Sequence, residues 1–163
     1  MTPLPGPVGS AELPWVGPRA VVVPYAGHCA GSAALVLIHS GVLVAGDMLS
    51  DLEIPLLDDA ATDPLGDYRD ALDRLADAAA EHRIRWLVPG HGHVGDRAAL
   101  DRRLAADRAY LDALAAGRPV DDPRLAEPEQ AAAHAQQVRL VAQLRTSGGS
   151  PPISRSLHEG DEV

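Results

Sequence analysis

The amino-acid sequence predicts an α/β layered domain. Three observations favour this fold class: short apolar runs rich in valine and leucine, longer segments with helical apolar spacing, and the order in which the two kinds follow each other. Strands come first, then a helix, another strand and two further helices, with short connections between them. At 163 residues the chain is long enough to bury the core of one domain.

Four strands are predicted from apolar runs bounded by glycine, proline or polar residues. They cover residues 19–24, 33–39, 42–46 and 84–88. The short link before Val42 contains a glycine, which suits a hairpin. The first strands are therefore expected to pair as neighbours.

Three helices are predicted from apolar spacing and from residues that favour helix ends. Asp63 and Pro64 suit the start of a helix that continues to about Glu81. A second helix covers about residues 96–116, and Gly117 marks its end. A third covers about residues 127–144 and is only weakly amphipathic.

The sequence divides into four expected parts. Residues 1–18 are rich in proline and glycine and predict an extended N-terminal segment. Residues 19–117 carry the strands and two helices of the domain. Residues 118–145 predict a C-terminal helical segment, and residues 146–163 have the composition of a disordered tail.

Charge and cysteine usage exclude some partners and favour a compartment. The net charge of −9 argues against nucleic acid or an anionic membrane as a partner, because both attract basic surfaces. Cys29 is the single cysteine, so no disulfide forms within the chain. With neither a signal-like N-terminus nor an apolar stretch of membrane-spanning length, the sequence predicts a cytoplasmic protein. Since nucleic acid and membranes are disfavoured, a small-molecule substrate is the expected partner.

Candidate metal ligands follow three of the predicted strands. His28, Asp47 and His91 each come within a few residues of a strand end, and glycines stand beside each of them. Loops beyond strand ends commonly carry sites in α/β proteins. Two imidazoles and a carboxylate suit a zinc-type ion, and a carboxylate can bridge two ions.

Plainer interpretations of the polar residues remain open. Asp47 could simply cap the turn after its strand, and His93 is better explained as a solvated loop residue than as a substrate contact. Cys29 lies next to a histidine, but adjacency alone does not give the aligned thiolate and imidazole that nucleophilic chemistry needs. The other histidines are expected at the surface: His39, His82, His134 and His158.

Three sequence segments resemble the later metal motifs of the metallo-β-lactamase fold superfamily. They read YAGHCAGS, VLVAGDMLS and LVPGHG, in the order usual for that superfamily. The resemblance covers about residues 19–117 and implies the C-terminal half of an αβ/βα sandwich, with a mixed sheet and flanking helices. It also implies that His28 ligates one zinc ion, that Asp47 bridges two and that His91 ligates the second. The implied activity is hydrolysis by zinc-activated water.

The superfamily's first metal motif, HxHxDH, does not occur in this sequence. It normally supplies further ligands and the aspartate that assists the nucleophilic water. We therefore expect a partial domain that binds one zinc ion, against two in a complete site, and that is incomplete as a catalyst alone. The alternative is a non-catalytic half-domain that pairs with itself or with a partner subunit supplying the missing half. Neither interpretation identifies the substrate.

Overall fold

The computed structural model describes residues 11–147. Within them the chain forms six strands, three α-helices and one short 3-10 helix. In chain order these elements are β1 (Ala11–Glu12), β2 (Ala20–Tyr25), β3 (Ser32–Leu37), β4 (Val42–Gly46), α1 (Pro64–Glu81), β5 (Trp86–Pro89), β6 (Gly95–Asp96), α2 (Arg97–Ala116), the 3-10 helix (Pro123–Ala126) and α3 (Pro128–Ser147).

The strands form one mixed sheet in the order β1-β2-β3-β4-β5-β6. Every neighbouring pair is antiparallel except β4 and β5, which are parallel and pair Val44 with Val88 and Gly46 with Pro89. Because β2, β4 and β5 all run in one direction, their C-terminal ends lie at the same edge of the sheet. The loops after these three strands are therefore brought together.

The helix ends follow the local sequence signals. Asp63 Oδ1 accepts a hydrogen bond from Gly66 N at 3.0 Å, and Pro64 occupies the first turn of α1. Asp96 Oδ1 accepts from Ala99 N at 2.8 Å at the start of α2. Gly117 ends α2 with a φ of 65°, a left-handed conformation that glycine adopts readily.

One face of the sheet packs against α1 and α2 and forms the core. Alternate strand residues such as Val23, Val36, Leu43 and Leu87 are buried on this face. The core is mainly Val, Leu, Ile and Ala, with the buried rings of Tyr68 and Tyr110 added from the helices. Burying this apolar surface is the main term that favours folding.

The opposite face of the sheet, which we call the open face, is apolar and remains partly exposed. Cross-strand pairing aligns its side chains in rows, of which Val22, Leu35, Val44 and Val88 form the central one. The ring of Trp86 at one side is 49% exposed. The open face contains Val22, Leu35, Leu37, Val42, Val44, Trp86 and Val88.

The predicted α/β class, with a mixed sheet and flanking helices, is confirmed. Three short elements were not predicted: β1, β6 and the 3-10 helix. β1 makes part of the expected extended segment an edge strand, because Ala11 and Glu12 pair with Val22 and Val21. Residues 1–10 and 148–163, including most of the predicted tail and His158, lie outside the described residues. No helix among residues 11–147 is long and apolar enough to cross a membrane.

Candidate metal centre

The structure brings the three predicted ligands together at one edge of the sheet. His28 lies in the turn after β2, Asp47 directly follows β4, and His91 comes two residues after β5. The parallel pairing of β4 with β5 places Asp47 beside His91. β2 delivers His28 to the same edge from across β3.

The carboxylate of Asp47 faces both imidazoles, one with each oxygen. His28 Nε2 lies 3.8 Å from Asp47 Oδ2, and His91 Nε2 lies 3.5 Å from Asp47 Oδ1. Two ligands bound to one tetrahedral zinc at about 2.0–2.2 Å lie roughly 3.3–3.6 Å apart. The His91 separation falls within that range and the His28 separation is slightly wider, so the arrangement suits a carboxylate shared between two ion positions.

The donor set is divided between those two positions. Residues 11–147 contain no group of three or more His, Cys, Asp or Glu side chains placed to hold a single ion. The Nε2 atom of each imidazole faces the shared carboxylate of Asp47, so each position has two of these donors. The prediction of one ion held by all three side chains stays a prediction.

His28 carries a buried nitrogen without a protein partner. Its Nδ1 has no hydrogen-bond partner among the described residues, although its Nε2 faces Asp47. A buried polar atom of this kind destabilises the fold unless some other group satisfies it. The orphaned nitrogen and the two Nε2 atoms that face Asp47 are donors of the kind that a metal ion accepts.

Close backbone packing fixes the position of Asp47. Gly90 N donates a 2.7 Å hydrogen bond to Gly46 O. A Cβ at Gly90 would lie 2.6 Å from Asp47 Oδ1 and 3.1 Å from Gly46 O. Gly46 itself has a φ of 62°, and a Cβ there would meet the hydroxyl of Tyr25 at 2.6 Å. The glycines beside the ligands are therefore required by close approach, not only by turn geometry.

Tyr25 stabilises the end of β4, just before Asp47, through a hydrogen bond. Its hydroxyl donates to Ala45 O at 2.7 Å. Burial, and to a lesser degree the nearby charge of Asp47, raises the pKa of Tyr25. The phenol therefore stays protonated and remains a donor to the strand that carries Asp47.

Two carboxylates beside the site were not predicted from the sequence. Glu53 Oε1 lies 3.7 Å from His91 Nδ1, on the other side of the ring from Asp47. Asp51 accepts from His93 N at 2.9 Å and lies 3.1 Å from His93 Nδ1 and 3.2 Å from Arg103. Burial raises the pKa of Asp51, but the hydrogen bonds from His93 and the charge of Arg103 outweigh burial and lower it overall. His93 is 75% exposed yet oriented by Asp51.

Two buried arginines, Arg103 and Arg124, hold the loop that carries Asp51 and Glu53 through hydrogen bonds to backbone carbonyls. Arg103 donates to Leu49 O at 3.2 Å and to His93 O at 2.9 Å. Arg124 donates to Ser50 O at 3.1 Å and to Glu53 O at 2.8 Å. Arginine suits this role because its planar guanidinium presents several donors in fixed directions.

The remaining polar candidates lie apart from the centre or have other partners. Cys29 is exposed and its Sγ lies 3.0 Å from Ser32 Oγ, so the contact found for the thiol is a hydroxyl and not an imidazole. His39 is exposed and His82 is partly buried. His134 is also partly buried, with Nδ1 3.0 Å from the hydroxyl of Tyr110.

Two solved structures share the overall fold of this chain. A metallo-beta-lactamase family protein from Thermus thermophilus aligns with a TM-score of 0.61 and 30% identity, over 93% of this chain and 53% of that chain. This chain has the metallo-β-lactamase fold. A beta-lactamase domain protein from Burkholderia ambifaria aligns with a TM-score of 0.55 and 20% identity, over 85% of this chain and 46% of that chain.

This metallo-β-lactamase fold chain spans about half the length of both solved relatives. No family model and no curated protein matches its sequence. The fold accounts for the convergence of His28, Asp47 and His91. Asp51 and Glu53 were missed because they fall in an acidic segment that shows no strand or helix period. The available signal was their position, four and six residues after Asp47 respectively.

Proposed function

We propose that this chain forms the metal-binding part of a zinc-dependent hydrolase, with His28 and His91 as ligands on either side of a bridging Asp47. One observation carries the proposal: each oxygen of the Asp47 carboxylate faces a different imidazole Nε2, at 3.8 Å and 3.5 Å. The fold supports it, because loops at one end of a sheet supply all three side chains.

The chemistry of the donors supports zinc and a small substrate. Imidazole and carboxylate donors suit zinc, although iron and manganese accept the same set. When bound, zinc lowers the pKa of a coordinated water and polarises a carbonyl or phosphoryl oxygen. The side chains of this chain hold the ion, and its net charge of −9 disfavours nucleic acid as substrate.

A zinc titration of the purified protein tests the proposal. Asp47→Ala is expected to abolish measurable binding, because Asp47 serves both positions. His28→Ala and His91→Ala are each expected to weaken binding by at least about tenfold, because a single protein donor holds an ion poorly. His39→Ala is the matched control, since His39 is an exposed histidine in the hairpin turn between β3 and β4.

The pattern across the four variants decides the outcome. Equal zinc content in wild type, Asp47→Ala and His91→Ala would show that the ion binds elsewhere, and the proposal would be wrong. An equal loss in His39→Ala would indicate nonspecific binding by surface histidines. Parallel titrations with iron(II) and manganese(II) determine which metal the site prefers.

The open face favours a second candidate function, pairing with another apolar sheet. Large apolar patches on a protein surface commonly mark association sites. The central row of Val22, Leu35, Val44 and Val88 crosses the sheet close to the edge where Asp47 lies, because Val44 stands three residues before Asp47 and Val88 three residues before His91. A second sheet packed there would cover this face and could bring further metal donors to the site. The solved Thermus protein, of which this chain covers 53%, has enough additional chain to form such a layer.

Sedimentation velocity separates this pairing from a solitary chain. A charge in the middle of the open face, Leu35→Glu, is expected to abolish association that the wild type shows at micromolar concentration. Val138→Glu is the control, because Val138 is 46% exposed on α3, away from the sheet. A wild-type chain that sediments as a stable monomer would exclude self-pairing.

A further inference from the structure

The backbone of the segment after β4 is held in one conformation by several independent contacts. Leu49 has a φ of 61°, which a residue with a side chain rarely adopts, and Arg103 binds its carbonyl oxygen. Ser50 Oγ accepts from Leu52 N and from Glu53 N, both at 3.0 Å. The position of Glu53 is therefore fixed relative to the sheet edge.

Arg124 also holds the backbone of Glu53 in place. Its Nη1 donates to Glu53 O at 2.8 Å, and the guanidinium is itself held by Asp107 and Asp122 at 2.8 Å each. Arg124 and Asp107 are 9% and 1% exposed. The Glu53 backbone is thus attached to a buried ion-pair network in the core, while the Glu53 carboxylate points back to the site.

Two carboxylates flank the ring of His91, one beside each nitrogen. Asp47 Oδ1 lies 3.5 Å from Nε2, and Glu53 Oε1 lies 3.7 Å from Nδ1. A neutral imidazole has one N–H and one lone pair, and only the nitrogen with the lone pair binds metal. The group that accepts the N–H therefore selects the nitrogen that is free to bind an ion.

We infer that Glu53 is a positioning residue that accepts the Nδ1–H of His91 and leaves Nε2 free to bind metal beside Asp47. The inference rests on the proposed metal site. Ligating histidines usually donate their second ring N–H to a carboxylate or carbonyl, which fixes the ring and strengthens the ligand. His28 differs, because the described residues offer no such partner to its Nδ1.

The first test is the tautomer of His91 in metal-free protein, measured by nitrogen-15 NMR of the imidazole. His91→Ala assigns the signal. Wild type is expected to hold the proton mainly on Nδ1, and Glu53→Ala is expected to shift it toward Nε2, where Asp47 can accept it. Glu53→Gln keeps a side-chain oxygen acceptor and is expected to restore most of the wild-type tautomer.

The second test is zinc affinity in the same variants. Removing an outer hydrogen-bond partner typically weakens metal binding by about 10- to 100-fold. We expect a loss in that range for Glu53→Ala and a smaller loss for Glu53→Gln. Glu81→Ala is the matched control, because Glu81 also lies beside a histidine, 3.9 Å from His82, at the end of α1.

The two tests separate this inference from the proposed function. An unchanged His91 tautomer in Glu53→Ala overturns the inference, whether or not zinc binds. A zinc loss in Glu53→Gln as large as in Glu53→Ala also overturns it, because Glu53 would then act as a direct ligand. A wild type that binds no zinc refutes the proposed function, and the tautomer measurement still decides the role of Glu53.

Discussion

Replacing Arg124 with methionine removes the cation that anchors the metal-site loop to the core. Arg124 is 9% exposed and joins Asp107 and Asp122 to the carbonyl oxygens of Ser50 and Glu53, all within 2.8–3.1 Å. Methionine has similar length but no donors. The variant therefore leaves a buried carboxylate without its counter-ion and frees the loop that carries Glu53.

The magnitude follows from the burial of Asp107, which is 1% exposed. Burial raises the pKa of Asp107 to about 6 even though Arg124 lowers it. Removing one partner of a buried ion pair typically costs about 3–5 kcal/mol. For a domain of this size, about 2–4 °C of Tm is lost per kcal/mol, so the expected fall is roughly 6–20 °C.

Urea unfolding followed by circular dichroism measures this change. Arg69→Met is the matched control, because Arg69 and Asp112 form an ion pair of the same 2.8 Å length with both side chains exposed. That control is expected to lose at most about 1 kcal/mol. The double variant Asp107→Leu with Arg124→Met is expected to recover part of the loss, since no unpaired charge remains. If Arg124→Met loses no more stability than Arg69→Met, the anchoring role is refuted.

Three further predictions test the core and the site. Burial raises the pKa of Asp107 from the ordinary 3.8 to about 6, so its contribution to stability is full below about pH 4 and is lost as the pH rises through 6. Asp107→Asn does not titrate. Urea unfolding between these pH values should therefore show the free energy of unfolding of Asp107→Asn rising by about 3 kcal/mol relative to that of the wild type. Gly90→Ala places a Cβ 2.6 Å from Asp47 Oδ1, so we expect a loss of about 1–3 kcal/mol in stability and weaker zinc binding by titration; unchanged affinity would contradict the described packing. Leu75→Ala, in the core at 0% exposure, is expected to lose about 2–5 kcal/mol in thermal unfolding, whereas Leu52→Ala, at 51% exposure, should change little.

Local signals in the sequence were enough to predict the regular elements. The bounds of α1 were predicted because Asp63 and Pro64 start it in a manner that needs no tertiary information. The end of α2 at Gly117 follows from the left-handed conformation that glycine adopts there. The two-residue strands β1 and β6 could not be predicted, because two residues show no period and form only where a neighbouring strand is available.

The site was only partly predictable for a related reason. His28, Asp47 and His91 were identified because each stands in a short motif at a strand end. Glu53 and Arg124 are separated by 71 positions, and their contact exists only after α2, the 3-10 helix and α3 have packed around the loop. No local pattern marks Arg124 as a buried residue, since arginine is usually exposed.

Anomalous diffraction at the zinc absorption edge, from crystals soaked in zinc, tests the central claim most directly. We expect a zinc peak within about 2.0–2.2 Å of an Asp47 carboxylate oxygen and of Nε2 of His28 or His91. In Asp47→Ala crystals soaked in the same way, that peak is expected to disappear. A peak located elsewhere on the chain, or one that persists at the same place without the Asp47 carboxylate, would contradict the assignment of this sheet edge as the metal centre.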